Sequence, residues 1–366
     1  MVLAPTLVKV SEVWDAGRGE REAVGRSRWE TMRFLITGTA GFVGFHLAKR
    51  LLGQGHEVVG IDGMTPYYDV KLKENRHGQL AKFDAFSAHR CMLEDTEALA
   101  AVFTNIEPAE VVVHLAAQAG VRHSLSNPRA YIDSNIIGSF NILEACRKLE
   151  PKHLVIASTS SVYGASTDFP LAETAAANHP LTFYAASKKA VESTAHCYAH
   201  LWGMPITIFR FFSAYGPWGR PDMALFKFVE NILAGRPIDV YNHGKMERDF
   251  TYVDDLVEAI IRLCEKAPVR GELRVLDTDS SSPIAPYRIV NIGGGNPVSL
   301  LDFIEEIERA LGRTAVRNNM DMQIGDVMHT EASTELLESL IGFRPTTPVS
   351  VGVNEFVRWY REYYDV

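Results

Sequence analysis

The chain has few cysteines. Cys91, Cys146, Cys197 and Cys264 are scattered, and no two stand in Cys-x-x-Cys spacing. That excludes the disulfide framework of a small secreted domain and fits reduced thiols used as core fillers in a cytoplasmic protein. No apolar run approaches the roughly 18 residues needed to span a bilayer, and the N-terminus has no apolar signal-peptide core, so no membrane association is expected. A Lys/Arg-rich run is missing too. With a formal net charge of -8, the chain offers no basic footprint for the phosphates of a nucleic acid. An anionic ligand would have to be met by individual basic residues. We detect no internal repeat.

The 366 residues, 46% hydrophobic and 22% charged, describe a globular protein of one or two fused domains. Residues 1–31 are polar and aperiodic. They are expected to form a disordered leader, with Met32, ahead of the first strand-like run, as the natural start. From Phe34 onward short β-branched apolar runs alternate with longer amphipathic stretches, as in βαβ units. The expected strands are Phe34–Thr37, Glu57–Ile61, Val111–Leu115, His153–Ser158 and Thr207–Phe211. Beyond Arg220 the pattern loosens: strands shorten, Pro and Gly become frequent, and the helix Leu300–Leu311 stands apart. Asp277–Pro286 reads as an exposed loop. The fold expected is α/β, a Rossmann-type doubly wound parallel sheet with a smaller mixed α/β lobe. Residues 32–212 would bind the dinucleotide, with later segments returning to that sheet, and 213–366 would mainly form the substrate lobe.

Gly38, Gly41 and Gly44 lie between a strand and a helix, in the segment Gly38-Thr39-Ala40-Gly41-Phe42-Val43-Gly44. Glycines there let backbone N–H groups and a positive helix end approach a pyrophosphate. Asp62 ends the next strand, where a carboxylate accepts from the adenosine ribose hydroxyls, and no Arg follows directly to neutralise a 2′-phosphate. NAD is therefore favoured over NADP. A glycine triplet alone also serves tight strand-to-helix packing; the register with Asp62 is what weighs toward a nucleotide.

Tyr184 and Lys188 are one turn apart at the start of an expected helix. A phenol titrates near 10, so it works as a base near neutrality only beside a cation, such as an ammonium. Lys188 also suits anchoring of a nicotinamide ribose. Tyr67 and Lys71 repeat the spacing in a loop, and that copy reads as chance. The pair at 184 differs because it follows the hydroxyl-rich strand end Ser158-Thr159-Ser160-Ser161-Val162-Tyr163-Gly164, where α/β sheets place ligands. Arg122, Arg220 and Arg248 are the anion-binding candidates, Arg being suited to bidentate phosphate and carboxylate contacts.

The Gly-x-x-Gly-x-x-Gly spacing with Tyr-x-x-x-Lys resembles the extended short-chain dehydrogenase/reductases. Longer stretches resemble their sugar-nucleotide epimerases and dehydratases, and particularly the UDP-glucuronate 4-epimerases. These are His114–Arg122 with Ser124, Pro128, Tyr131 and Asn135; Arg210–Ala224; Tyr241–Asp255; and Gly325-Asp326-Val327. The resemblance implies a retained NAD cofactor, a UDP-sugar substrate and a homodimer built on the helices around Tyr184 and Ser139–Leu149. It implies that Gly38, Ala40, Gly41, Phe42, Val43, Gly44, Asp62, Leu93, Leu115, Ala116, Ala117, Gln118, Asn135, Tyr184 and Lys188 contact the cofactor. Thr159 would partner Tyr184; Ser160, Ser161 and Ser213 would receive the substrate carboxylate; Arg248 would hold the pyrophosphate, with Arg122, Arg220 and Asp326 also at the substrate. Met92 stands where many relatives carry an acidic residue for adenine, so adenine is expected to be held through backbone near Leu93. The activity implied is oxidation at C4, rotation of the 4-keto sugar and re-reduction. Alternatives are a UDP-glucose 4-epimerase, a UDP-glucuronate decarboxylase, and an NAD(H)-binding sensor or scaffold without turnover.

Three further signals are set aside. His196 and His200 have zinc-helix spacing without the Glu or a third ligand, so no metal site is expected. Gly293-Gly294-Gly295 lacks the Lys-Ser/Thr of a phosphate loop and reads as a turn. Trp359, Tyr360, Tyr363 and Tyr364 read as a helix face packed on the lobe or at an interface.

Overall fold

The computed structural model describes residues 31–366; the leader expected over 1–31 lies, apart from Thr31, outside the described residues. Among the described residues twelve strands follow one another: β1 (Arg33–Thr37), β2 (Glu57–Asp62), β3 (Phe86–Arg90), β4 (Val111–His114), β5 (His153–Thr159), β6 (Ile206–Phe211), β7 (Ser213–Tyr215), β8 (Ile238–Tyr241), β9 (Glu247–Tyr252), β10 (Tyr287–Ile292), β11 (Pro297–Ser299) and β12 (Arg317–Met320). Seven form the main sheet in the order β10-β6-β5-β4-β1-β2-β3. Every neighbouring pair in it is parallel. The doubly wound α/β fold is thus present, and the order reverses between β1 and β4.

The central strands are apolar because helices cover both faces of a parallel sheet. All residues of β4 and β5 are buried. Helices such as Phe42–Gly53, Gly138–Leu149 and Phe183–Trp202 supply the crossovers. The five expected strands are present to within one residue at each end. β3 and β10 were not among them. β3 is mostly exposed at the sheet edge, so it lacks the apolar signature of the others; β10 pairs with β6 from far along the chain, a partner that local pattern does not reveal.

After β6 the chain builds two small sheets, β11-β9-β7 and β12-β8, and the helix Leu300–Leu311 spans the expected residues. The terminal helix Val349–Tyr364 buries Trp359 and Tyr360 against Phe226, Phe356 and Trp218. Two expectations need correction. Cys197 is exposed, while the other three cysteines are buried, because it lies on the outer face of its helix. The Asp277–Pro286 loop is not wholly exposed: Asp279 is fully buried and pairs with buried Arg288 at 3.2 Å. Among the described residues no helix is long and apolar enough to cross a membrane.

Candidate active site

The strand ends around the β1/β4 reversal open into a cavity of about 700 Å³, the place where wound sheets take ligands. The glycine turn forms its floor. Gly38 has φ of +84°, and a Cβ there would stand 2.9 Å from the Ala116 amide nitrogen. At Gly44 a Cβ would stand 2.1 Å from the Gly38 carbonyl oxygen, so this glycine lets the helix press against the turn. Gly41 occupies the N-cap of Phe42–Gly53 without a capping side chain. The first-turn amides are therefore left for a ligand, and Phe42, Val43 and Gly44 line the cavity.

Asp62 also lines it. Its Oδ2 accepts from the Ala40 amide at 2.9 Å and its Oδ1 from Met64 at 2.8 Å, leaving lone pairs for ribose hydroxyls. An uncapped helix start, a turn with glycine at both ends and a fixed carboxylate at its edge fit a dinucleotide. Leu93, Leu115, Ala116, Ala117 and Gln118, expected at the cofactor, line the cavity, and Met92 and Glu94 join them. The Leu93 carbonyl already accepts from Asn141 Nδ2 at 2.8 Å.

Two expected cofactor contacts are not at the wall. Ala40 is fully buried and spends its amide on Asp62 and its carbonyl on Arg76. Asn135 is fully buried as well; its Oδ1 accepts from the Gln118 amide at 2.7 Å, and its Nδ2 donates to the Gln118 carbonyl and to Ser187 Oγ. It shapes the Leu115–Gln118 loop from behind.

Thr182 caps the helix Phe183–Trp202 through a hydrogen bond from the Ala185 amide. Its first turns carry Tyr184 and Lys188 to the end of β5, where Thr159 stands. All three are buried and line the cavity. Burial raises the Tyr184 pKa, opposed by its hydrogen bond with Thr159 and by the nearby charge of Arg220. Lys188 donates to the Ala157 carbonyl at 3.0 Å. Burial pushes its pKa down to about 8, against the pull of the Glu192 carboxylate. Glu192 accepts from Ser158, Lys189 and buried Arg210.

Ser160, Ser161 and Ser213 also line the cavity, and Thr159 Oγ1 donates to Ser161 Oγ at 3.2 Å. Arg122 donates to Asp326 at 3.1 Å and lies 4.4 Å over the Tyr241 ring. Arg248 is anchored to the Glu247 and Met328 carbonyls. Its pKa is lowered by burial, an effect that the Asp326 charge opposes and that of Arg122 reinforces. Arg122 is paired with the Asp326 carboxylate while Arg248 is held by backbone carbonyls alone, an arrangement with cationic capacity to spare for an anion. Arg220 pairs with Asp222.

Comparison with known proteins identifies the family. The model of the NAD dependent epimerase/dehydratase family matches residues 34–276. The chain belongs to that family. It is 57% identical over 336 residues to a probable UDP-glucuronate 4-epimerase of Rhizobium meliloti (strain 1021), covering 91% of this chain and 98% of the relative. It is 41% identical to UDP-glucuronate 4-epimerase 1 of Arabidopsis thaliana, covering 90% and 77%. Among solved structures, the UDP-glucuronic acid 4-epimerase of Bacillus cereus in complex with UDP-glucuronic acid and NAD aligns with a TM-score of 0.81 and 31% identity, over 91% of this chain and all of that one.

Tyr67 and Lys71 form no second catalytic pair, but the loop that carries Tyr67 belongs to the cavity. Tyr67, Tyr68 and Lys73 line the cavity, whereas Lys71 is exposed. Lys73 is buried and donates to the Thr65 carbonyl at 2.7 Å. Arg76 is fully buried and ties the Ala40 carbonyl, the Tyr68 hydroxyl and the Trp218 carbonyl together. The signal available was Tyr67-Tyr68 directly ahead of a helix with Lys73 and Arg76 on its buried side; the partners lie too far along the chain to be seen locally. The Gly293–Gly295 turn has a role as well: Gly294 and Gly295 amides donate to the Asp249 carboxylate. His196 and His200 bond to Ser282 and the Ile284 carbonyl.

Proposed function

We propose that this chain interconverts UDP-glucuronate and UDP-galacturonate with NAD. The observation that carries the reading is the convergence of Thr159, Tyr184 and Lys188 beside an open glycine turn, in a cavity that Arg122, Arg220 and Arg248 also line. Relatives bearing the same activity in their names support it.

Bound NAD supplies the hydride acceptor and donor for C4 of the sugar. The protein does the rest. Gly38, Gly41 and Gly44 admit the pyrophosphate to the helix amides, Asp62 holds the adenosine ribose, and Lys188 anchors the nicotinamide ribose. Tyr184 takes the proton of the C4 hydroxyl and later returns it to the 4-keto sugar, with Thr159 holding the phenol in line. A desolvated phenol needs a cation to release its proton, and Lys188 and Arg220 provide that field. Arg248 and Arg122 hold the UDP pyrophosphate while the sugar turns about its link to it. Ser160, Ser161 and Ser213 receive the carboxylate as neutral donors, and Arg220 adds positive charge on the sugar side. Holding that carboxylate matters because the 4-keto sugar is a β-keto acid, prone to lose CO2.

In this scheme residues 32–212 hold the cofactor and 213–366 mainly the sugar nucleotide. We place the enzyme in the cytoplasm, as a homodimer. The helices Gly138–Leu149 and Phe183–Trp202 support the dimer, since they leave Phe140, Leu201 and Trp202 about half exposed or more, and Phe140, Leu143 and Val191 line a small apolar hollow. The activity is tested by incubating purified protein with UDP-glucuronate, without added cofactor, and following the products by NMR. UDP-galacturonate is expected; release of CO2 with a UDP-pentose would replace epimerisation by decarboxylation, and no conversion would remove the enzyme reading.

A further inference from the structure

The anion-binding Arg220 does not stand free in the cavity. Its Nε donates to Asp222 Oδ1 at 3.0 Å and its Nη2 to Oδ2, a bidentate fork that fixes the plane of the guanidinium. Asp222 is in turn held from the other side: the Tyr67 hydroxyl donates to Asp222 Oδ2 at 3.0 Å. The three side chains come from two loops, one after β2 and one after β7, and all line the cavity. The Tyr67 ring is set by packing at 4.9 Å from the His123 ring and 6.2 Å from the Tyr68 ring. Its hydroxyl passes over Gly120, where a Cβ would stand 2.4 Å from the phenol oxygen and φ is +103°. Any other residue at 120 would push the phenol off Asp222.

A long arginine side chain loses rotamer freedom when a ligand has to order it, and a site that orders it beforehand binds more tightly. Asp222 and Tyr67 do this ordering. Arg220 uses one edge of its fork on Asp222, which leaves the Nη1 edge uncommitted to that carboxylate. Arg220 lines the same cavity as Tyr184 and the serines Ser160, Ser161 and Ser213, and it pairs with Asp222 where Arg122 pairs with Asp326. We propose that Tyr67 and Asp222 are positioning residues that hold Arg220 ready for the carboxylate-bearing sugar, and so set the preference for a uronate over a neutral hexose. This rests on the epimerase reading above but makes no use of turnover.

The test compares dissociation constants for UDP-glucuronate and UDP-glucose, in the presence of NAD, in the wild type, Tyr67→Phe and Asp222→Asn. Tyr67→Phe keeps the ring packing and removes only the hydrogen bond, so it folds. It is expected to weaken UDP-glucuronate binding about fivefold, and Asp222→Asn at least about tenfold, while UDP-glucose binding changes less than about twofold in both. Unchanged uronate binding, tighter uronate binding in Asp222→Asn, or equal weakening of both ligands overturns the positioning role. A wild type that binds the two ligands equally well overturns the substrate reading beneath it, and is told apart because it appears before any variant is made.

Discussion

Lys188 has to remain a cation where burial works against one, and the neighbouring Glu192 carboxylate is what counters the loss. With a pKa near 8, the ammonium is complete only below that value; as pH rises through it the field on Tyr184 fades. Activity is expected to fall on the alkaline side of about pH 8, and Glu192→Gln, if folded, to move that fall to lower pH in a kcat/KM profile. The same substitution strands buried Arg210 and should cost about 3–5 kcal/mol in denaturant unfolding. Glu173 behaves in the opposite sense. It is buried, its Oε2 has no partner, and desolvation pushes its pKa up to about 7. The folded state holds its proton more tightly than the unfolded chain, so the stability it contributes is full below about 4.5 and lost as pH rises through 7. Glu173→Gln should raise the melting temperature at about pH 8 and flatten its dependence on pH. At this scale Tyr184 and Lys188 were legible because their spacing carries chemistry, and Thr159 through the family resemblance of its strand end. Tyr67, Asp222 and Arg76 were not, because their meaning lies in contacts made across more than a hundred residues.

Among the elements, the strand–turn–helix that opens the fold is the one whose sequence most fully states its structure. Gly44 is fixed by a backbone neighbour that cannot yield: the Gly38 carbonyl lies 2.1 Å from where a Cβ would be. Gly44→Ala should destabilise the protein by at least about 1–3 kcal/mol and yield purified protein with little bound NAD, measured by absorbance after acid release. The expected strands β1, β2, β4, β5 and β6 were readable because burial on both faces leaves an unbroken apolar run. β3, half exposed at the edge, and β10, arriving late, lack that mark. The same limit explains Asn135 and Ala40: their stretches were recognisable, but whether a residue forms the wall or supports it depends on which neighbour its amide meets.

For the whole molecule, the -8 charge and a site for anionic ligands are reconciled by local placement. Arg122, Arg220 and Arg248 come from separate parts of the chain to one cavity, while acidic residues dominate elsewhere. The apolar face on Gly138–Leu149 and Phe183–Trp202 should associate two copies: light scattering is expected to give the mass of a dimer, and Phe140→Asp that of a monomer. The account turns on the phenol at the end of β5. Its most direct test is Tyr184→Phe, assayed for NAD content and for turnover of UDP-glucuronate in the same preparation. NAD content equal to the wild type with turnover reduced about 10²–10⁴-fold is the predicted result; turnover equal to the wild type would contradict it.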